Sequence, residues 1–249
     1  MAESTWAAGG TTYYVATTGN DANTCTQAQS TSTPKLTIMS GKACLTPGDT
    51  LYIRTGLYTE VVHSIPSGTS WSAPVTVASY PGETATIKNY AASGWPVVYF
   101  ENQSYIVLDR LVLNGFNPDY LTSPYYAVID IEGTSHHIRI QNSEITNGPN
   151  GIYVLTTAHD NEFLDMSVHN NGVGIHGHGF YINGYNNLID GSDIYGNASF
   201  GIHLYWDYAG NTANDNIVRN NKIHNNANSV RGGGLLIASG NRNKVYNNI

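Results

Sequence analysis

One sequence pattern repeats from about residue 97 to the end of the chain, and it limits the possible folds more than any other feature. Each copy contains two short runs of alternating apolar and polar residues, each followed by a polar turn. Successive copies are 23, 26 and 29 residues apart, counted between Ile145, Val168, Ile194 and Ile223. In the second run two apolar residues stand five positions apart: Ile140 and Ile145, Phe163 and Val168, Ile189 and Ile194, Val218 and Ile223, with Val107 and Val112 fitting the same spacing. The chain is therefore built from a repeated structural unit.

Runs of this length with a two-residue alternation predict short β-strands, and the turns between them are too short for crossover helices. Several strands in each repeat, without a helical period, predict an all-β single-stranded parallel β-helix, a solenoid in which each coil pairs with the next. The sequence lacks a leucine consensus, which argues against leucine-rich repeats. It also lacks the four strands per period of a propeller.

The composition is polar but poor in charge. Charged residues make up 12% of the chain and the net charge is −7, which argues against a coiled coil and against a nucleic-acid partner. No apolar run of the length needed to span a membrane is present. Asn142, Asn220 and Asn247 occupy equivalent turn positions, where stacked side-chain amides are expected to hydrogen-bond along the column. Architecture can thus explain the excess of Asn without a catalytic role.

The two cysteines, Cys25 and Cys44, lie in polar, loop-like surroundings. We expect them to form one disulfide, the alternative being two buried thiols. A disulfide predicts an oxidising, extracellular location. The start of the chain, MAESTWAAGG, lacks the basic and then apolar layout of a signal peptide.

Two stretches carry a family resemblance: YYVATTGNDANTC and the residues that follow it (13–60), and HGFYINGYNNLIDGSDIYGNASFGIHLY (178–205). They resemble the right-handed parallel β-helix proteins of the pectin-lyase-like superfamily. The resemblance implies a short N-terminal capping helix, secretion and a polysaccharide partner. It also implies one domain over 1–249, divided into an N-terminal segment (1–60) and coils (61–249). The last repeat copy is incomplete, so we expect a truncated array that can self-associate end to end.

Alternation assigns outward side chains to the first run of each repeat. The two outward columns read Asp130, Tyr153, Tyr181, His203 and Leu236, and Glu132, Leu155, Asn183, Tyr205 and Ala238. We predict a catalytic cluster of His203, His178 and Tyr181. The predicted substrate-binding residues are Tyr153, Asn183, Tyr205, Trp206 and Asp207.

The leading hypothesis is a polysaccharide lyase-like enzyme. Such an enzyme needs a base, a proton donor and a cation or hydrogen-bond donors for the sugar carboxylate. His203 or His178 would be the base, and Tyr181 or Tyr205 the proton donor. No Lys or Arg is evident on this strip. Asp130, Glu132 and Glu101 are therefore a candidate Ca²⁺ site, and Ca²⁺ is the one cofactor considered.

Other reactions remain open. The motif GHGF (177–180) resembles the histidine motif of polygalacturonases, but GIYV (151–154) on the preceding coil has no acid for hydrolysis. Epimerisation would use the same base and acid as the lyase. A zinc site from His176, His178 and His203 is also conceivable.

The rival hypothesis is a non-catalytic β-helix, either glycan-binding or structural and self-assembling. The strip has neither a carboxylate pair beside the histidines nor a basic residue, and Tyr, His and Asn also stack well on solvated strands. A further outward column, Thr146, His169, Tyr195 and His224, is assigned no role.

Overall fold

The computed structural model describes residues 9–89, 95–115, 127–172, 177–205, 210, 213–228 and 231–249. The predicted residues His176, Trp206 and Asp207 lie outside these ranges. Within them, the helical elements are a 3₁₀ turn at Gln27–Gln29 and the helix α1 at Ile38–Lys42. The strands in chain order are β1 (Thr12–Val15), β2 (Thr50–Ile53), β3 (Gly56–Thr59), β4 (Val62–His63), β5 (Val75–Ser79), β6 (Ala85–Lys88), β7 (Val98–Glu101), β8 (Ser104–Asp109), β9 (Leu111–Asn114), β10 (Ile129–Glu132), β11 (His136–Gln141), β12 (Glu144–Thr146), β13 (Ile152–Val154), β14 (Glu162–Leu164), β15 (Ser167–His169), β16 (Phe180–Ile182), β17 (Leu188–Asp190), β18 (Asp193–Tyr195), β19 (Phe200–Leu204), β20 (Ile217–Arg219), β21 (Lys222–His224), β22 (Gly233–Ile237) and β23 (Lys244–Tyr246).

The strands of the described residues form three parallel sheets, each with one strand from successive coils. Sheet A has the order β1-β2-β5-β8-β11-β14-β17-β20-β23. Sheet B runs β3-β6-β9-β12-β15-β18-β21, and sheet C runs β4-β7-β10-β13-β16-β19-β22. The predicted all-β parallel β-helix is confirmed. Its stacked strands already include β2, which starts at Thr50, ahead of the predicted start of the coils at residue 61.

Inward side chains from the three sheets form one apolar core. In sheet C, Ile129 pairs with Ile152, Ile152 with Phe180, and Phe180 with Ile202, and all four are fully buried. Phe180 meets Phe163 of sheet A edge to face, with ring centroids 5.4 Å apart. Burying each such side chain stabilises the fold by roughly 1.5–3 kcal/mol.

One coil differs from the predicted spacing. The structure pairs Leu108 with Ile140 and Leu113 with Ile145, so these two leucines, and not Val107 and Val112, take the inward positions. Both pairs are five residues apart and apolar, so the sequence spacing alone fits either phase. Pairing with the neighbouring coil decides between them.

The predicted asparagine ladders exist, but at other positions. Asn142, Asn220 and Asn247 have φ of +50°, +57° and +56°, and the amides of Asn142 and Asn220 donate to Asp109 and Asp190 instead of stacking. The ladders form where buried Asn side chains turn inward. One such ladder runs through Asn161, Asn187, Asn216 and Asn243, with amide N–O distances of 3.0, 3.0 and 3.3 Å.

The predicted N-terminal helix and disulfide are both confirmed. Thr37 caps α1 by accepting a hydrogen bond from the backbone N of Ser40 at 3.1 Å. A Cβ added at Gly41 would lie 2.5 Å from the inward side chain of Val15, so the helix packs directly on the first coil. Cys25 and Cys44 are bonded, with their Cα atoms 5.5 Å apart. No helix among the described residues is long and apolar enough to cross a membrane.

Candidate functional site

The outward face of sheet C, defined as its two columns of outward side chains, carries most of the predicted site residues. Tyr153 pairs with Asp130, Tyr181 with Tyr153, and His203 with Tyr181, as the alternation predicted. The complete columns are His63, Tyr99, Asp130, Tyr153, Tyr181, His203 and Leu236, and Glu101, Glu132, Leu155, Asn183, Tyr205 and Ala238. Parallel strands stack about 4.8 Å apart, so these side chains form one continuous strip.

Aromatic and imidazole rings form a cluster at one end of the strip. The ring centroid of Tyr181 lies 5.0 Å from Tyr153, 5.2 Å from His178 and 5.2 Å from His203. Tyr205 lies 5.8 Å from Tyr181 and 5.0 Å from His203. The sheet places Tyr181 in the middle of β16 and His203 beside it in β19, so the cluster follows directly from the strand register. The structure therefore brings together the predicted residues His203, His178 and Tyr181.

Two hydrogen bonds assign the protons of His178 and His203 for the case in which both rings are neutral. The backbone N–H of Phe200 donates to Nδ1 of His178 at 3.2 Å, so the neutral ring of His178 carries its proton on Nε2. That Nε2 lies 3.4 Å from Nδ1 of His203 and faces it as a donor. The neutral ring of His203 then carries its own proton on Nε2. This Nε2 is buried and has no hydrogen-bond partner among the described residues.

Burial keeps His203 uncharged. Only 9% of the side chain is exposed, and desolvation lowers the pKa of His203 to about 4. At neutral pH the ring is therefore a neutral hydrogen-bond donor through Nε2. It is a poor proton acceptor, because its Nδ1 already faces the donor on His178.

Asn183 and Tyr153 form the neighbouring part of the strip. Asn183 is 2% exposed, and its amide N donates to the hydroxyl of Tyr153 at 3.3 Å. The amide Oδ1 of Asn183 is buried without a hydrogen-bond partner in the described part of the chain. The strip therefore contains an unpaired acceptor, Oδ1 of Asn183, as well as an unpaired donor, Nε2–H of His203.

Carboxyl groups lie at the other end of the strip. Glu132 pairs with Glu101 on the preceding coil, and its Oε2 accepts a hydrogen bond from the hydroxyl of Tyr99 at 3.2 Å. Burial and the charge of Glu101 raise the pKa of Glu132. Desolvation raises the pKa of Asp130 well above its ordinary value, and the charge of Glu132 adds to this. Asp130 is only 3% exposed, although alternation places it outward.

The candidate Ca²⁺ site stays a prediction. Asp130, Glu132 and Glu101 share the strip, yet among the described residues no three His, Cys, Asp or Glu side chains are grouped to hold a metal ion. In the metal-free protein, burial favours the neutral form of Asp130, whereas a carboxylate that binds Ca²⁺ is ionised.

Sequence reasoning missed two contributors to the site. Tyr99 extends the strip by one coil, and the alternation in VVYFE (97–101) was the signal for it. Phe200 packs against His203 at 5.2 Å and orients His178 through its backbone N–H. No residue pattern signals that second contact, because it joins a backbone group to a side chain 22 residues away.

Comparison with solved structures finds the same fold in several carbohydrate-acting proteins. A pectate lyase matches with a TM-score of 0.74 and 17% identity, over 94% of this chain and 61% of its own. A rhamnogalacturonan lyase matches with a TM-score of 0.68 and 16% identity, over 93% of this chain and 62% of its own. The lacto-N-biosidase from Eubacterium ramulus matches with a TM-score of 0.65 and 13% identity, over 95% and 55%. At these identities the likeness shows the fold alone, and this chain spans about three fifths of the length of those proteins.

The family comparison covers more than half of the chain. A search of curated proteins found no match. The family model described as the right-handed beta helix region matches residues 97–249, which include the coils that carry most of the outward face of sheet C. The chain therefore belongs to the right-handed β-helix family.

Proposed function

We propose that this protein is an extracellular, carbohydrate-active β-helix that binds a polysaccharide along the outward face of sheet C. The row of rings formed by Tyr153, Tyr181, His203 and Tyr205 carries the proposal, with neighbouring centroids 5.0 to 5.8 Å apart. Ligand sites combine such apolar surfaces with a few placed polar groups, and the apolar face of a sugar ring fits the aromatic ones. The disulfide between Cys25 and Cys44 supports an oxidising, extracellular location.

A lyase-like reaction at His203, His178 and Tyr181 has less support than binding. Elimination needs a base and a partner for the carboxylate of a uronic acid. His203 is held neutral with a pKa of about 4, which makes it a weak base. The described part of the outward face of sheet C contains no Lys or Arg, and the net charge of −7 opposes a polyanion.

Hydrolysis is the second candidate, favoured by the carboxyl end of the strip. A glycoside hydrolase needs one carboxylic acid as proton donor and one carboxylate as base or nucleophile. Glu132, with its raised pKa, suits the donor, and the exposed Glu101 beside it suits the second role. This pair lies on β7 and β10, ahead of GIYV (151–154), where the resemblance to polygalacturonases would place the acids.

The test measures binding and cleavage on one panel of neutral and uronate polysaccharides. Tyr181→Ala should weaken binding of the preferred polymer roughly tenfold, from the loss of ring contact. Tyr195→Ala is the matched control: Tyr195 is also half-buried and stacked between two imidazoles, but on sheet B, so affinity should not change. Binding of no polysaccharide, or equal losses in both variants, would refute the proposal.

Product analysis separates the reactions. Both reactions create a new reducing end, but elimination leaves an unsaturated sugar at the new non-reducing end, whereas hydrolysis leaves a saturated one. Hydrolysis that is lost in Glu132→Gln with binding retained would support the second candidate. Binding without either product would support the non-catalytic alternative.

End-to-end self-association stays a prediction. In the last described strands, Ile237, Val245 and Tyr246 are 44%, 40% and 41% exposed. Analytical ultracentrifugation over a concentration series would detect an assembly, and a single monomeric species would rule it out.

A further inference from the structure

Buried polar atoms without hydrogen-bond partners mark one part of the strip. They include Nε2 of His203 and Oδ1 of Asn183, in side chains that are 9% and 2% exposed. Leaving one buried polar group unsatisfied costs about 1–3 kcal/mol, so native proteins keep few of them. Two in this part of the face, besides Oδ1 of Asp130 further along it, therefore need an explanation other than stability.

The two atoms have opposite hydrogen-bonding character. The contacts from Phe200 to His178 and from His178 to His203 leave a proton on Nε2 of His203, which makes this atom a donor. The amide N of Asn183 is engaged by Tyr153, which leaves Oδ1 as an acceptor. A ligand group that satisfies both must therefore accept one hydrogen bond and donate another.

The strand register places the two side chains within reach of one small group. His203 pairs with Tyr181, and Asn183 lies two residues after Tyr181 on the same face. Such diagonal neighbours have Cα atoms roughly 7–8 Å apart. Two hydroxyls on adjacent carbons of a sugar ring can bridge side chains at that separation. The half-buried rings of Tyr181 and Tyr205 contact His203 and provide the surface on which that sugar would stack.

We propose that this part of the strip holds an uncharged sugar unit, with one hydroxyl accepting from Nε2–H of His203 and one donating to Oδ1 of Asn183 after the groups that cover these two buried atoms shift. This inference rests on the proposed function and names the substrate class of the same site. A uronate also has free hydroxyls, so these two hydrogen bonds alone do not exclude it, and the charge of the face decides. A uronate carboxylate would find no Lys or Arg on the described part of the outward face of sheet C, and it would approach Glu132 and Glu101 further along the strip.

The experiment compares neutral and charged oligosaccharides on four variants. The neutral probes are hexasaccharides of glucose, xylose, mannose and galactose, and the charged probes are oligogalacturonate and alginate oligomers, each titrated by calorimetry. We expect a neutral probe to bind best. Asn183→Leu and His203→Leu should each weaken it about threefold to tenfold, the value of one hydrogen bond. His203→Gln, which restores an N–H donor, should recover most of the affinity.

The controls separate this inference from folding and from the proposed function. His169→Leu changes a stacked imidazole on sheet B and should leave affinity unchanged, and thermal unfolding checks that each variant folds. Preference for a uronate probe would overturn the inference alone. So would full affinity in Asn183→Leu and His203→Leu, or no recovery in His203→Gln. Binding of no probe would overturn the proposed function and the inference with it.

Discussion

The outward faces of sheets A and C are built from the same coils, yet they differ in how most of their polar side chains are paired. On sheet A, charged residues pair across neighbouring coils: Arg139 with Glu162 at 2.6 Å and Arg219 with Asp190 at 2.7 Å. These four side chains are partly exposed and paired. Asp109 on the same face is buried, and its Oδ2, which makes no hydrogen bond, lies 2.6 Å from Nη1 of Arg110 in an ion pair. On sheet C, Asp130, Asn183 and His203 are buried, and each has an atom without a hydrogen-bond partner in the described chain.

The contrast separates what the fold needs from what a ligand site needs. Inward columns and Asn ladders already hold the coils together, so sheet A can use its outward face for solvated ion pairs of small energetic value. Sheet C uses the same positions for groups that reduce stability. Local rules that are broken without a structural gain are expected at functional sites.

The largest difference in stability is expected between variants of two buried asparagines, Asn187 and Asn183, which are both 2% exposed. Asn187 is a member of the inward ladder, and its Oδ1 accepts from both the backbone N and the amide N of Asn161 at 3.1 and 3.0 Å. Asn187→Leu leaves both donors unsatisfied and should lower the free energy of unfolding by about 3–4 kcal/mol. Asn183→Leu removes an unsatisfied acceptor and should change it by less than about 1 kcal/mol.

Urea denaturation of the two variants under the same conditions measures the difference. Equal losses in the free energy of unfolding would mean that Asn183 stabilises the fold as much as Asn187 does. The two asparagines could then no longer be assigned different roles. A gain of stability in Asn183→Leu would strengthen that assignment.

The second test uses pH. The pKa of His203 is about 4 in the folded protein, against about 6.5 in the unfolded chain. Between these values the unfolded chain binds more protons, so stability falls as the pH falls from about 6.5 to 4. The loss should approach about 3 kcal/mol.

His203→Gln is the control for this pH test, because Gln does not titrate. The raised pKa of Asp130 acts in the opposite sense, since it removes stability as the pH rises, but it is shared by wild type and variant and cancels in their difference. The free energies of unfolding of the two proteins should therefore diverge below pH 6.5. Parallel curves would show that His203 is not held neutral by burial.

The fold could be predicted because its main determinants are periodic in sequence. Alternation correctly placed Ile152, Phe180 and Ile202 inward, and Tyr153, Tyr181 and His203 outward. The phase of a run was harder to predict, since Val107 and Leu108 fit the spacing equally well. Only pairing with Ile140 on the next coil selects Leu108.

The site could be predicted only in part, because alternation gives the direction of a side chain and not its environment. Asp130 and His203 point outward as predicted, but their burial depends on the surrounding structure. Burial favours the neutral form of both Asp130 and His203, and alternation alone could not predict that.

The smallest change in the free energy of unfolding is expected for substitutions in an ion pair on sheet A. Arg139 pairs with Glu162 at 2.6 Å and lies 4.3 Å over the ring of Trp71. Both charged side chains are about a quarter exposed, at 27%, so water screens the pair. Arg139→Met keeps most of the aliphatic stem and should lower the free energy of unfolding by about 1 kcal/mol or less. Glu162→Gln removes the charge but not the contact between Arg139 and Trp71, so it should lower the free energy of unfolding by less still.

Urea denaturation at low and high salt checks both values, because a screened pair weakens as salt rises. A loss above 2 kcal/mol in Arg139→Met would mean that sheet A depends on its outward pairs. The pairing of polar side chains would then no longer distinguish the outward face of sheet A from that of sheet C, which is proposed to bind sugar.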